Sequence, residues 1–202
     1  MIQIIKKKVV KKTKNNQKNK SVYAPNPEQS TEEIHILAIL VNNEPGVLGR
    51  VVGLFTARGY NIESLTVAET DNEKHLSRIT IVSSGTPDVI EQIKAQLARL
   101  VPVLKVSDLT TECPYVEREL ALVKVACTGQ KRVEALQCAN IFRARVVDST
   151  HESFVFEATG GMQKVSAFIE LMKPLGLVGV SRTGTAAISR GPKAIGGYDE
   201  AS

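Results

Sequence analysis

The chain has 202 residues, 43% hydrophobic, 23% charged and 4% aromatic, which is material for one large or two small packed domains and excludes wholesale disorder. Eight of its 26 basic residues but only three of its 21 acidic ones fall in residues 1–33, so the formal charge of +5 belongs to that start and the remainder is balanced. The longest apolar run is far short of the roughly 20 residues that cross a bilayer, and Cys113, Cys127 and Cys138 lack a C-x-x-C spacing, which excludes a disulfide scaffold and a zinc site.

Residues 1–33 are rich in Lys and Asn, have no acid before Glu28, and end in Pro, Asn, Gln and Ser. They read as a disordered extension, with an organellar targeting segment as the alternative because acids are so scarce. The expected location is cytoplasmic, or organellar if 1–33 is a transit segment.

From Ile34 the pattern sharpens. Residues 34–41 form a nearly continuous apolar, β-branched run that suits a buried strand, closed by Asn42-Asn43-Glu44-Pro45-Gly46. A helix is expected next, capped by Asn43 or Glu44 with Pro45 at its first position. It carries Val47, Leu48, Val51, Val52 and Phe55 and ends at Gly59. Residues 62–68 and 76–82 read as a hairpin about the polar turn at 71–74. Thr86-Pro87 opens a second helix carrying Val89, Ile90, Ile93, Leu97 and Leu100, and Val103, Leu104, Val106 and Leu109 supply a last strand. The order is β-α-β-β-α-β, the split arrangement of ferredoxin-like folds.

The same cadence repeats after Cys113-Pro114. Residues 118–127 read as a strand, 130–143 as a helix with Val133, Leu136, Cys138 and Ile141 inside, and 144–149 and 153–158 as two more strands. A helix with Val165, Phe168, Ile169, Leu171 and Met172 follows, then a strand over 175–180. The expected fold class is therefore α+β, two tandem ferredoxin-like units, at 34–112 and 113–184, followed by a flexible, glycine-rich tail at 185–202.

Catalytic candidates are scarce. His35, His75 and His151 lie on different expected elements, and neither H-E-x-x-H nor G-x-S-x-G occurs. Cys127 and Cys138 sit among apolar residues, where a thiol usually packs as a small hydrophobe. A ferredoxin-like sheet that binds RNA needs exposed stacking aromatics and a basic stripe, and neither is present, so no nucleic-acid or membrane partner is expected. One segment does suggest a ligand: Asn43-Glu44-Pro45-Gly46-Val47-Leu48 turns from a core strand into a helix start, where free N–H groups favour a small anion and Gly46 lets it approach. By itself, such a turn need only start a helix.

The run N-E-P-G-V-L-x-R-V-x-G-L-F-x-x-R-G-Y-N-I-E-S-L-T-V, with VERELALVKV and IFRARVVD further on, resembles the small, regulatory subunit of acetolactate synthase (acetohydroxyacid synthase) over residues 34–192. The resemblance makes the first unit an ACT domain at 34–112 that binds an effector and dimerises. It implies a chain without an active site or cofactor of its own, partnered by a catalytic large subunit that carries thiamine diphosphate, Mg and FAD. It further implies activation of that partner and feedback inhibition by valine or a related branched-chain amino acid. The implied effector residues are Asn43, Glu44, Pro45, Gly46, Val47 and Leu48 of one chain, with Asn61 and Ile62 of a second in a homodimer. A stand-alone ACT sensor serving another biosynthetic enzyme is the alternative.

Overall fold

The computed structural model describes residues 32–71 and 73–192. The expected N-terminal extension lies outside them, apart from its last two residues, and so does 193–202.

The first half of the described chain runs β1 (Glu33–Asn42), α1 (Val47–Arg58), β2 (Ser64–Asp71), β3 (Leu76–Gly85), α2 (Pro87–Leu97) and β4 (Val103–Asp108). Its antiparallel sheet has the order β2-β3-β1-β4. β1 is apolar on both sides because it is central and covered on both. Leu37, Ile39 and Val41 pack with Val51 and Phe55 of α1 and Ile90 and Ile93 of α2. On the other face Ile36 and Ala38 pack with Val82, Leu109 and Ala187. No side chain caps α1, although a cap contributes about 1 kcal/mol; burial of Val47, Val51 and Phe55, at about 1.5–3 kcal/mol for each side chain, outweighs that omission.

A four-residue helix, α3 (Leu109–Glu112), leads into the second half: β5 (Tyr115–Ala126), α4 (Gly129–Phe142), β6 (Arg145–Ser149), β7 (Ser153–Gly160), α5 (Met162–Gly176), β8 (Leu177–Arg182) and β9 (Ala186–Ser189). The path β6-β7-β5-β8 repeats the topology of the first sheet, and β9 joins by pairing with β5. The core between this sheet and its helices holds Val123, Val125, Phe154, Phe156, Phe168 and Met172, with Phe156 and Phe168 edge to face at 6.1 Å. The α+β class and the tandem βαββαβ order agree with the sequence reading.

Several details differ from it. α1 starts at Val47, not Pro45, because Glu44–Val47 is a turn closed by the Val47 amide on the Glu44 carbonyl at 3.2 Å. Pro45 and Gly46 occupy its centre, and Gly46, at φ +83°, ψ 1°, takes the left-handed position of a type II turn that favours glycine. Gly46, rather than Asn43 or Glu44, stands at the helix cap. Leu109 belongs to α3 instead of the last strand: Asp108 Oδ1 accepts from the Thr110 amide at 3.0 Å while Glu112 Oε1 accepts from the Asp108 amide at 3.1 Å, a reciprocal cap. On α4 Leu136 and Cys138 pack half-buried against the second core as expected, but the fully buried residues are Ala135 and Ala139, and Val133 and Ile141 are exposed. Leu171 of α5 is exposed as well, and Leu175 ends inside that helix. Residues 185–189 are not a flexible tail. They form a buried threonine followed by β9, held by the pairing of 186–189 with 115–118 and by Ala187 against Ile36 and Ala38.

Among the described residues no helix is long and apolar enough to cross a membrane, and no cluster of His, Cys, Asp or Glu could hold a metal. The three cysteines are free; Cys127 lies in the second core and Cys113 packs beside Leu109.

Candidate functional site

The loop after β1 is fixed by backbone bonds from both flanks. The Asn42 amide donates to the Pro102 carbonyl at 2.9 Å, and the Asn43 amide donates to the His75 carbonyl at 2.7 Å. His75 can deliver that carbonyl because it sits at φ +50° ahead of β3. These ties leave the side chains of Asn43, Glu44, Pro45 and Leu48 exposed, with Val47 buried beneath them. The first turn of α1 carries no acidic residue and receives no side-chain cap. The Val47 amide is held by the Glu44 carbonyl, and the next two, of Leu48 and Gly49, are left without a protein partner at the positive end of the helix dipole, where a carboxylate is the natural partner.

Asn61 and Ile62 are placed by the other end of α1. Gly59, at φ +70°, closes the helix with amide bonds to the Phe55 and Thr56 carbonyls, and the chain then turns toward β2. The Asn61 carbonyl accepts from the buried Ser83 hydroxyl at 2.7 Å, which leaves the Asn61 side chain exposed; Ile62 is half-buried against the first core.

The two stretches do not meet within one chain. Asn42 is paired with Leu76, whereas Ser83, which holds Asn61, is paired with His35 near the start of β1. At about 3.4 Å per residue the intervening strand separates the two by roughly 24 Å, so they stand at opposite ends of the sheet. His75 and Ser83 were not legible as site residues, since each acts by one long-range backbone contact that has no sequence pattern.

Two family profiles match this chain: the one described as AHAS small subunit-like ACT domain over residues 37–105, and the one described as small subunit of acetolactate synthase over residues 118–191. The acetolactate synthase small subunit of Aquifex aeolicus is 48% identical over 157 residues, which are 77% of this chain and 81% of that protein. The chain belongs to the acetolactate synthase small-subunit family. The small subunit of Mycolicibacterium smegmatis is 43% identical over 162 residues, covering 80% of this chain and 94% of its own. The crystal structure of the Thermotoga maritima small subunit superposes with a TM-score of 0.71 at 38% identity, covering 80% of this chain and 99% of that one. Acetolactate synthase small subunits thus match both halves, the ACT sheet that carries the loop and the second sheet beyond it.

Proposed function

We propose that this small subunit raises the activity of a thiamine-diphosphate-dependent catalytic subunit of acetolactate synthase and confers feedback inhibition by valine. The effector lies between two copies, against Asn43, Glu44, Pro45, Gly46, Val47 and Leu48 of one and Asn61 and Ile62 of the other. The supporting observation is the separation of these stretches. Among the described residues β2 is an edge strand, hydrogen-bonded on one side to β3, with Val67 exposed. If two copies pair along that edge about a two-fold axis, strand direction inverts and the loop end of one sheet comes beside the Asn61 end of the other. One edge contact then completes two sites. The chemistry suits a small amino acid: unpaired helix-start amides for the carboxylate, the Asn61 side-chain carbonyl for the ammonium, and Val47 and Ile62 for a branched side chain.

The cofactors of the reaction, thiamine diphosphate with Mg and FAD, belong on the catalytic partner in this reading. The test is an acetolactate assay of the catalytic subunit with and without this chain, each with and without valine. Stimulation by the chain and its reversal by valine are expected. Equal rates in all four mixtures would remove the proposal.

A further inference from the structure

One stretch of chain touches both sheets directly behind the effector position. After β8 the chain crosses the face of the first sheet that lies away from α1 and α2. There the Thr185 amide donates to Ser64 Oγ at 2.8 Å, and Thr66 Oγ1 donates to the Thr185 carbonyl at 3.0 Å. Two alternate residues of β2 thus grip one residue of this strap. One strand further in, Arg78 Nη2 donates to the Ala187 carbonyl at 2.9 Å. Gly184 makes the approach possible: it sits at φ +84°, and a Cβ there would stand 2.8 Å from Ser64 Oγ and 3.0 Å from Thr66 Cγ2. Beyond the strap, β9 pairs with 115–118, the opening of the strand that forms the middle of the second sheet.

The position of the grip matters. Ser64 follows Ile62 by two residues, so whatever orders Ile62 orders the start of β2. Close by, a cleft of about 460 Å³ parts Glu63 and Leu65 from Met162 and Arg182. Ser64 and Thr185 line the same cleft, and the bonds of Thr185 to Ser64 and Thr66 bridge β2 to the second half. Thr185 is itself buried, and its hydroxyl has no partner, so its backbone carries the hold on β2.

Resting on the effector reading above, we propose that residues 183–187 relay valine occupancy at Asn61–Ile62 to the second sheet, with Ser64, Thr66 and Gly184 as the coupling residues. Valine fixes the start of β2, the two side chains pass that position to Thr185, and β9 carries it into β5. Coupling of this kind is a free energy shared by two sites and requires an element whose state both sites bias. The strap is such an element, since it is bonded to a strand on each side. None of its residues belongs to the proposed valine contacts, so loosening it separates binding from response.

The experiment uses the full chain, alone and reconstituted with its catalytic subunit. Valine affinity is measured by titration calorimetry for the wild type, the Ser64→Ala/Thr66→Val double variant and Gly184→Ala. Valine inhibition is measured on the reconstituted enzyme, and amide hydrogen exchange of 183–189 is followed on the wild type with and without valine. The proposal expects valine to slow exchange in the wild-type strap by about tenfold. It also expects both variants to bind valine within about threefold of the wild type while losing at least about half of the inhibition at saturation. Unchanged exchange in the wild-type strap overturns it, whether or not the variants fold. So does full inhibition in both variants, and so does joint loss of binding and inhibition in folded variants, which would make the strap a support of the site rather than a relay. A wild-type chain that shows no valine binding at all removes the effector reading itself, and the calorimetry reveals that before any variant is made.

Discussion

Glu119 receives Arg182 twice, Nε on Oε1 at 2.5 Å and Nη2 on Oε2 at 2.6 Å, and this bidentate pair ties the middle of β5 to the end of β8 just before the strap begins. The glutamate is buried, whereas the arginine side chain is 35% exposed. The hydrogen bonds to Glu119 raise the Arg182 pKa above its ordinary value; burial opposes that shift and the carboxylate's charge reinforces it.

Arg182→Met should therefore leave a carboxylate buried without its cation. Breaking a fully buried pair costs about 3–5 kcal/mol, and the exposure of Arg182 places the expected loss below that range, at about 2–3 kcal/mol. Chemical unfolding reads it as a lowered midpoint at unchanged slope. The Glu119→Gln/Arg182→Met double variant should recover part of the loss. A single variant as stable as the wild type would show that the pair contributes nothing net.

Gly176 ends α5 at φ +111°, and a Cβ at that position would stand 2.1 Å from the Ala126 carbonyl oxygen. The obstacle is backbone of the central strand β5, so no side-chain rotation relieves it. Gly176→Ala is expected to destabilise the protein by more than about 2 kcal/mol, combining the strained dihedral with displacement of β5. Thermal unfolding measures this directly, and a midpoint within error of the wild type would contradict the packing described for the second sheet.

Gly46→Asp and Asn61→Ala should each weaken valine binding. Asp tolerates the left-handed region better than most residues, so the fold survives at position 46 while a negative charge enters the place of the ligand carboxylate. Repulsion of at least about 1 kcal/mol, a loss of affinity of about fivefold or more, is expected. Asn61→Ala removes one hydrogen-bond partner at about 0.5–3 kcal/mol. Calorimetry with valine reads both, and unchanged affinity in both would place the site elsewhere.

Much of this architecture was legible because local and global signals agree. The buried run of β1, the hairpin of β2 and β3, and Thr86-Pro87 opening α2 each announce their element by period or punctuation. What escaped has physical reasons. Pro45 marked a helix start, yet Gly46 in a left-handed conformation made it the centre of a turn. The Asp108 to Glu112 cap escaped because Leu109 follows the apolar residues of the last strand and reads as its continuation. β9 has only four residues and exists because 115–118 offers it an edge, a non-local cause that no window of sequence contains. On α4, Leu136 and Cys138 pack against the core as their spacing suggests, but the fully buried positions go to alanines while the larger Val133 and Ile141 face solvent, so the usual size rule misled at those two. At the candidate site, the opposite placement of Gly46 and Asn61 on the sheet appears only in the strand register.

That placement gives the most direct measurement. Gly46→Asp and Asn61→Ala chains, each weak for valine alone, are mixed, allowed to exchange subunits, and titrated with valine. A mixed dimer joins the intact loop of one chain to the intact Asn61 of the other, so random pairing should restore wild-type affinity at about a quarter of the sites. A mixture that binds no better than its two components, with exchange demonstrated, would contradict a valine site shared between two copies.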